Sequence, residues 1–139
     1  MENNAFKYCV FFLFLFTTGC ALQAREAYDR AVKEDTAPAY QMFLINYPKD
    51  ELRKKAEDNL MDLAFYQQAQ AMHTVAAYRK YLSTYPNGRR TKEALSQIED
   101  LEFEFFKKVN TRWGYDYFLK KYPQTKFLGE IKTKKEFAV

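Results

Sequence analysis

A thirteen-residue pattern that occurs three times is the feature that most constrains this chain. The copies read TAPAYQMFLINYP, TVAAYRKYLSTYP and TRWGYDYFLKKYP, and they begin at Thr36, Thr74 and Thr111. Their starts lie 38 and 37 residues apart. A repeat at this period indicates similar structural units that pack on their neighbours, and not one irregular fold.

Each copy predicts a short helix with defined ends. Threonine is a favourable N-cap, because its hydroxyl accepts a hydrogen bond from an otherwise unpaired amide of the first turn. In the first copy Tyr40, Phe43, Leu44 and Tyr47 are spaced i, i+3, i+4 and i+7, which places them on one stripe of a helix. The proline that follows cannot continue the helix. Each copy therefore predicts a helix that stops at Tyr-Pro.

The segments between the copies are also predicted to be helical. Residues 51–72 and 91–109 contain neither Gly nor Pro. Their apolar residues recur at helical intervals: Leu52, Ala56, Leu60 and Leu63 in the first, and Leu95, Ile98, Leu101, Phe105 and Val109 in the second. Ala24, Ala27, Tyr28 and Ala31 predict a shorter opening helix. The expectation is an all-α domain over residues 20–139, with units at about 24–48, 50–86 and 88–123 and a C-terminal cap or tail at 124–139.

The N-terminal segment predicts export. The run from Cys9 to Phe16 is apolar throughout and follows a polar start that carries Lys7. Crossing a membrane takes about 20 apolar residues, so this run is too short. A charged start, a short apolar centre and small residues at the exit are typical of a secretory signal peptide, here residues 1–19.

The end of that segment, Thr17-Thr18-Gly19-Cys20, resembles the lipobox of bacterial lipoproteins. The resemblance implies that Cys20 receives a diacylglycerol, becomes the first mature residue and is then N-acylated. Two or three acyl chains hold a protein firmly on a membrane. Ala21 after the cysteine implies an outer-membrane location facing the periplasm. An ordinary signal peptide cut near Gly19 or Ala21, or an uncleaved anchor, is the alternative.

The repeats resemble the tetratricopeptide-repeat superfamily over residues 24–123, in their period and in an aromatic eight residues before the closing proline. The sequence of residues 77–88, AYRKYLSTYPNG, is similar to repeats of bacterial envelope proteins, such as those of the β-barrel assembly machine and the Tol–Pal system. The resemblance implies a right-handed stack of about three helix-turn-helix repeats that binds other proteins.

The residues give little support for catalysis. His73 is the single histidine and lies at an expected turn, and no His, Cys or Glu set has metal-ligand spacing. The acidic run of Glu99, Asp100, Glu102 and Glu104 is expected to be a solvated face. No enzyme activity, cofactor, metal or small-molecule substrate is expected. A pair of carboxylates brought together in space is the enzymatic alternative.

Four residues are candidates for partner binding. Trp113 and Tyr117 project from nearly the opposite side of their helix to its apolar stripe. The favoured expectation is that the tail folds back over them through Phe127, Leu128 and Ile131; the alternative is an exposed docking patch. Arg89 and Arg90 form a basic group, and a second group of lysines crowds the C-terminus.

Together these features predict a lipid-anchored, non-catalytic adaptor of the bacterial cell envelope. Its partners would be an envelope protein or extended peptide, and the membrane through the anchor. The net charge of +4 is too small and too evenly spread to predict nucleic-acid binding. The competing hypothesis is a structural subunit of a larger envelope assembly, which a stable homo-oligomer would favour.

Overall fold

The computed structural model describes residues 22–138, so the predicted signal peptide and Cys20 lie outside the described residues. The prediction of an all-α fold is confirmed, because the described part of the chain contains helices and no strand. The helices are α1 (described over 22–34), α2 (Ala37–Asn46), α3 (Arg53–Met72), α4 (Val75–Thr84), α5 (Thr91–Val109), α6 (Arg112–Lys121) and α7 (Leu128–Glu136).

The described residues divide into two compact units; the boundary lies between Ala64 and Phe65, within α3. The first unit has one apolar cluster built around Tyr40 and Phe43. The second unit has two clusters, one around Tyr78 and Tyr81 and one around Phe103, Phe118 and Ile131. Each cluster contains one of the helices that the repeated pattern predicts.

Those three helices, α2, α4 and α6, confirm the prediction of a Thr start and a Tyr-Pro end. Each has ten residues, and its N-cap is Thr36, Thr74 or Thr111. The threonine hydroxyl accepts from the amide three residues later, at 3.3, 3.2 and 3.1 Å. The C-caps are Tyr47, Tyr85 and Tyr122, each directly before a proline. Local chemistry therefore sets both ends of each helix.

The residue before each threonine makes the turn from the preceding helix. Asp35, His73 and Asn110 have φ angles of 50°, 47° and 49°, the left-handed region that asparagine and aspartate tolerate best. The hydroxyl of Tyr40 donates to Asp35 at 2.7 Å, and that of Tyr115 donates to Asn110 at 3.0 Å. In the middle turn the ring of His73 lies edge-on to a tyrosine, Tyr78. The single histidine thus occupies a structural turn position.

The connections after Tyr-Pro are also alike. The amides of Asp50, Gly88 and Thr125 donate to the carbonyls of the C-cap tyrosines at 3.3, 3.0 and 3.1 Å. Two residues further on, the amide of Leu52 donates to the Asp50 side chain and that of Phe127 to the Thr125 side chain. Gly88 has no side chain to offer. There the amide of Arg90 donates instead to the hydroxyl of Tyr81, at 3.3 Å.

Tyr81 stands where the other two helices have phenylalanine, Phe43 and Phe118, so the hydroxyl and the glycine occur together. We expect Tyr81→Phe to lower the free energy of unfolding by about 1 kcal/mol, because the acceptor of that bond is lost. Gly88→Asp should restore most of the loss, since Gly88 does not have a positive φ and the aspartate would act as Asp50 does. Urea denaturation of the two single variants and the double variant measures this. An equal cost of Tyr81→Phe with and without Asp at position 88 would contradict it.

The apolar stripe predicted for the helix over 91–109 is wrong in part. Leu95, Phe105 and Val109 are exposed, by 53, 60 and 44%. The buried residues of α5 are Ala94, Ile98, Phe103 and Phe106. This face is buried because α4 and α6 pack against it and because the segment before α7 folds over it; the Phe103 ring stacks on Phe127 with centroids 4.0 Å apart. Adjacent apolar residues such as Phe105 and Phe106 leave the choice of face to these neighbours.

Candidate binding surface

The second unit carries a group of four rings in contact with one another, Phe105, Phe106, Trp113 and Tyr117, here termed the aromatic patch; Phe106 is buried and the other three are exposed. Trp113 is 71% exposed and Tyr117 is 48% exposed. Their rings stack with centroids 5.6 Å apart and planes 26° apart. The ring centroids of Tyr117 and Phe106 lie 5.7 Å apart, and those of Phe106 and Phe105 lie 5.3 Å apart. Exposed rings that pack on one another and on a buried ring are typical of a docking surface.

The favoured expectation that the tail covers Trp113 and Tyr117 is wrong. The tail does fold back: Ile131 is fully buried, and Phe127 packs against Phe103 and Phe118. That packing takes place on the buried stripe of α6, and Trp113 projects from the other side. The tail therefore caps the cluster of Phe103 and Phe118, and the rings of Phe105, Trp113 and Tyr117 remain in solvent.

Along the chain, α1 and α2, α3 and α4, and α5 and α6 are here called the first, second and third helix pairs. Two grooves occupy equivalent places in the first two pairs. Groove I, about 340 Å³, lies between α1 and α2, and groove II, about 250 Å³, lies between residues 65–72 of α3 and α4. Each of the eight residues that line groove II has its counterpart in groove I exactly one repeat, 38 residues, earlier. The counterparts of groove II one repeat later include all four rings of the aromatic patch.

The third helix pair fills this place with its own side chains. Where groove II has Ala69 facing Ala77, the third pair has Phe106 and Gly114. A methyl group on Gly114 would lie 3.1 Å from a ring carbon of Phe106, tighter than ordinary van der Waals contact. A large and a minimal residue therefore replace two small ones. At the aromatic patch, side chains of the protein itself fill the place that is open in groove II.

The two arginines proposed from the sequence for partner binding, Arg89 and Arg90, differ in exposure. Arg89 is exposed, and Arg90 is half-buried with its guanidinium 5.8 Å from the centroid of the Tyr66 ring. That stacking gives Arg90 a packing role in the second unit. The structure does not bring these arginines into the aromatic patch, whose ring contacts are all within α5 and α6.

The acidic run of α5 and the C-terminal lysines pair with each other. Lys121 lies 2.5 Å from Glu102, and Lys126 lies 2.5 Å from Asp100. Glu102 also accepts from Arg79 at 2.7 Å and from the hydroxyl of Tyr122 at 3.0 Å. The surface pairs contribute little individually. Their main effect is that several lysines of the basic C-terminal group have carboxylate partners.

Alkaline pH is expected to destabilise the second unit. Burial raises the pKa of Tyr66, Tyr78, Tyr115 and Tyr122 above the ordinary 10.0, and for Tyr122 the hydrogen bond to Glu102 adds to this. The folded protein therefore keeps phenol protons that the unfolded chain releases. The stabilisation is complete below about pH 10 and is lost as the pH rises above it.

Urea denaturation between about pH 8 and 11.5, with phenolate absorbance recorded in parallel, measures this dependence. Tyr122→Phe should reduce the loss of stability with pH, and Tyr47→Phe, which removes a tyrosine hydroxyl of the first unit, is the matched control. A slope that is the same in all three proteins would contradict the prediction.

Among residues 22–138, no group of three or more His, Cys, Asp or Glu side chains is placed to hold a metal ion. In the same part of the chain, no helix combines the length and the apolar character needed to cross a membrane.

The grooves were missed by sequence reasoning, although a signal for them exists. Extending the repeat alignment back into the preceding helices pairs Ala31 with Ala39, Ala69 with Ala77, and Phe106 with Gly114. Their opposite changes in size indicate a contact between the two helices of each pair.

Comparisons of the chain with protein-family models, with curated proteins and with solved structures give no match.

Proposed function

We propose that this protein is a lipid-anchored, non-catalytic protein–protein interaction module of the bacterial cell envelope. In this proposal Cys20 carries the acyl chains and holds the chain at the outer membrane, facing the periplasm. The helix pairs stack as right-handed tetratricopeptide-like repeats. The module acts by recruitment: the anchor confines it to a surface, and its helices bind a partner protein.

The observation that carries the proposal is the exposure of the aromatic patch. Aromatic residues dominate the energetics of protein interfaces, and a soluble surface rarely keeps several in contact with each other. Trp113 and Tyr117 are already stacked, so little side-chain freedom would be lost when a partner binds. Val109, which is 44% exposed, extends the same surface along α5.

Crosslinking in intact cells tests the proposal. A photoreactive phenylalanine analogue at position 113 or 117 should give the same adduct, identified by mass spectrometry as one envelope protein. The matched control places the analogue at Gln67, which is exposed but outside the patch. An adduct of equal yield from position 67, or none from 113 and 117, would contradict the assignment of the patch.

Truncating the patch should separate binding from stability. Trp113→Ala is expected to leave the midpoint of thermal unfolding within a few degrees of the wild type, because the side chain is 71% exposed. Binding of the crosslinked partner, measured with purified proteins, should weaken at least about tenfold. A large drop in thermal stability with unchanged binding would instead make Trp113 a structural residue.

Two further measurements address the rest of the proposal. The intact mass of the protein purified from membranes should show the acyl chains on Cys20, and Cys20→Ser should release the protein from the membrane fraction. Sedimentation of the purified protein distinguishes the adaptor from the alternative. A stable homo-oligomer would favour a structural subunit of a larger envelope assembly.

A further inference from the structure

We propose that the partner segment bound by the aromatic patch is acidic: an apolar stretch of a protein with carboxylates on both sides of it. The inference rests on the proposed protein-binding function and names the chemistry of the partner. It follows from the charges that surround the rings. Lys108, Arg112 and Lys120 are exposed and lie on α5 and α6, the two helices that form the patch.

The two lysines lie on the same helix faces as the exposed rings. Lys108 is three residues after Phe105 on α5, and Lys120 is three residues after Tyr117 on α6. Residues at this spacing are neighbours on one face of a helix. From Trp113 to Lys120 the axis of α6 rises by about 10 Å, whereas Lys108 lies close to the turn that leads into α6. The two lysines therefore stand at opposite ends of the rings.

The three cations have no carboxylate partner in the described part of the chain. No ion pair joins Lys108, Arg112 or Lys120 to another residue of the range 22–138. Arg112 donates to a backbone carbonyl, that of Ala138, at 3.4 Å, which leaves its charge uncompensated. A partner with carboxylates placed opposite these cations is therefore favoured over a neutral or basic one.

Two carboxylates beside the rings argue against a lipid surface as the partner. Glu104 and Asp116 each stand one residue before a ring of the patch. Each is paired with a lysine, and their side chains remain 53 and 57% exposed. A broad anionic membrane would meet these carboxylates together with the cations. A narrow protein segment meets the rings and the lysines at their two ends.

A second copy of this chain offers a ring but no excess of negative charge. Phe137 is 79% exposed and follows Glu136, which is also exposed. Residues 132–136 hold three lysines beside that one glutamate. Two of these lysines pair with carboxylates of their own chain, and the third, Lys132, balances the charge of Glu136. A segment with several carboxylates therefore complements the patch better than this C-terminus does.

The fluorescence of Trp113 tests the proposal, because it is the only tryptophan and belongs to the patch. The purified full-length protein is titrated with the capped peptides EELLEE, KKLLKK and EESSEE. At low salt EELLEE should bind at least about tenfold more tightly than either of the others. Its advantage over KKLLKK should shrink as NaCl is added, since about 0.1 M salt reduces the Debye length to about 10 Å. Equal binding of EELLEE and either of the others, or a preference that salt does not change, would overturn the proposal.

Two double variants with the same change of net charge locate the effect. Lys108→Glu with Lys120→Glu should abolish the preference for EELLEE. Lys33→Glu with Lys49→Glu, which replaces two exposed lysines of the first unit, should retain it. All four side chains are exposed, so both variants should fold, and circular dichroism checks this. An equal loss of preference in both would mean that only the net charge of the protein acts, and would overturn the proposal. The salt dependence of the wild type keeps the test decisive if a variant does not fold.

Two further measurements identify the other occupants. A shift of Trp113 emission with vesicles of phosphatidylglycerol and phosphatidylcholine, and not with EELLEE, would assign the patch to a lipid surface. Self-association of the wild type that is lost in Phe137→Ala, measured by sedimentation, would assign it to a second copy. Either result would overturn the acidic partner. A crosslink from position 113 to a protein, without any preference for EELLEE, would remove this inference and leave the proposed function in place.

Discussion

Exchanging Ile131 for alanine is expected to lower the free energy of unfolding by about 3 kcal/mol, the usual cost of truncating a large aliphatic side chain in a core. Ile131 is fully buried in the cluster that contains Phe103 and Phe118, although it belongs to the last helix, α7. Its amide donates to the carbonyl of Phe127, and Phe127 stacks on Phe103, so α7 completes the core of the second unit.

Leu128→Ala is the matched control for that prediction. Leu128 lies on the same helix but is 41% exposed, so its truncation should cost well under half as much. Urea denaturation followed by fluorescence measures both, because Trp113 is the only tryptophan and reports on the second unit. Equal effects of the two substitutions, or none from Ile131→Ala, would mean that α7 does not stabilise this core.

The second large effect concerns Phe106 and Gly114. Phe106→Ala should cost about 3 kcal/mol, because the ring packs against Phe118 and Tyr117 and is 9% exposed. Gly114→Ala alone should destabilise by about 1 kcal/mol. The added methyl group would lie 2.9 Å from the hydroxyl oxygen of Thr111 and 3.1 Å from the Phe106 ring. This overpacking outweighs the helix preference of alanine, which is worth roughly 0.5–1 kcal/mol.

In the Phe106→Ala background the sign should reverse. The methyl group then meets no ring, and its remaining close neighbour is the Thr111 hydroxyl. The caps of Thr36 and Thr74 accommodate an alanine at the same place, Ala39 and Ala77. Gly114→Ala should therefore stabilise by about 0.5 kcal/mol. The two single variants and the double variant form a cycle whose coupling energy is about 1.5 kcal/mol. The same effect of Gly114→Ala in both backgrounds would mean that the sizes of residues 106 and 114 are not coupled, and would contradict the prediction.

Helix ends could be predicted from sequence because they depend on neighbouring residues alone. The hydroxyls of Thr36, Thr74 and Thr111 bond to amides three residues away, and proline stops each helix regardless of what packs on it. The outward direction of Trp113 followed in the same way from the angle between residues on one helix.

Packing between helices could not be predicted in this way. Both Phe105 and Phe106 are apolar, and only the positions of α6 and α7 decide that Phe106 is buried and Phe105 is exposed. The path of the tail depends on the stacking of Phe127 on Phe103, residues 24 positions apart in the chain, so the expected covering of Trp113 was wrong. Groove II depends on the absence of a ring, which a search for apolar stripes does not register.

The exchange between Tyr81 and Gly88 restricts the order in which such a repeat can evolve. Starting from a phenylalanine and an aspartate, as at Phe43 and Asp50, a change to glycine first would remove the acceptor of the connecting amide. A change to tyrosine first leaves two acceptors, and the later change to glycine is then tolerated. The two positions that hold Ala69 and Ala77 in the second helix pair, and Phe106 and Gly114 in the third, impose a similar order. The change from alanine to glycine must come before the change from alanine to phenylalanine, because the ring would be overpacked against the alanine methyl group. A repeat can thus diverge from its siblings by steps that each cost about 1 kcal/mol or less, but only when they are taken in sequence.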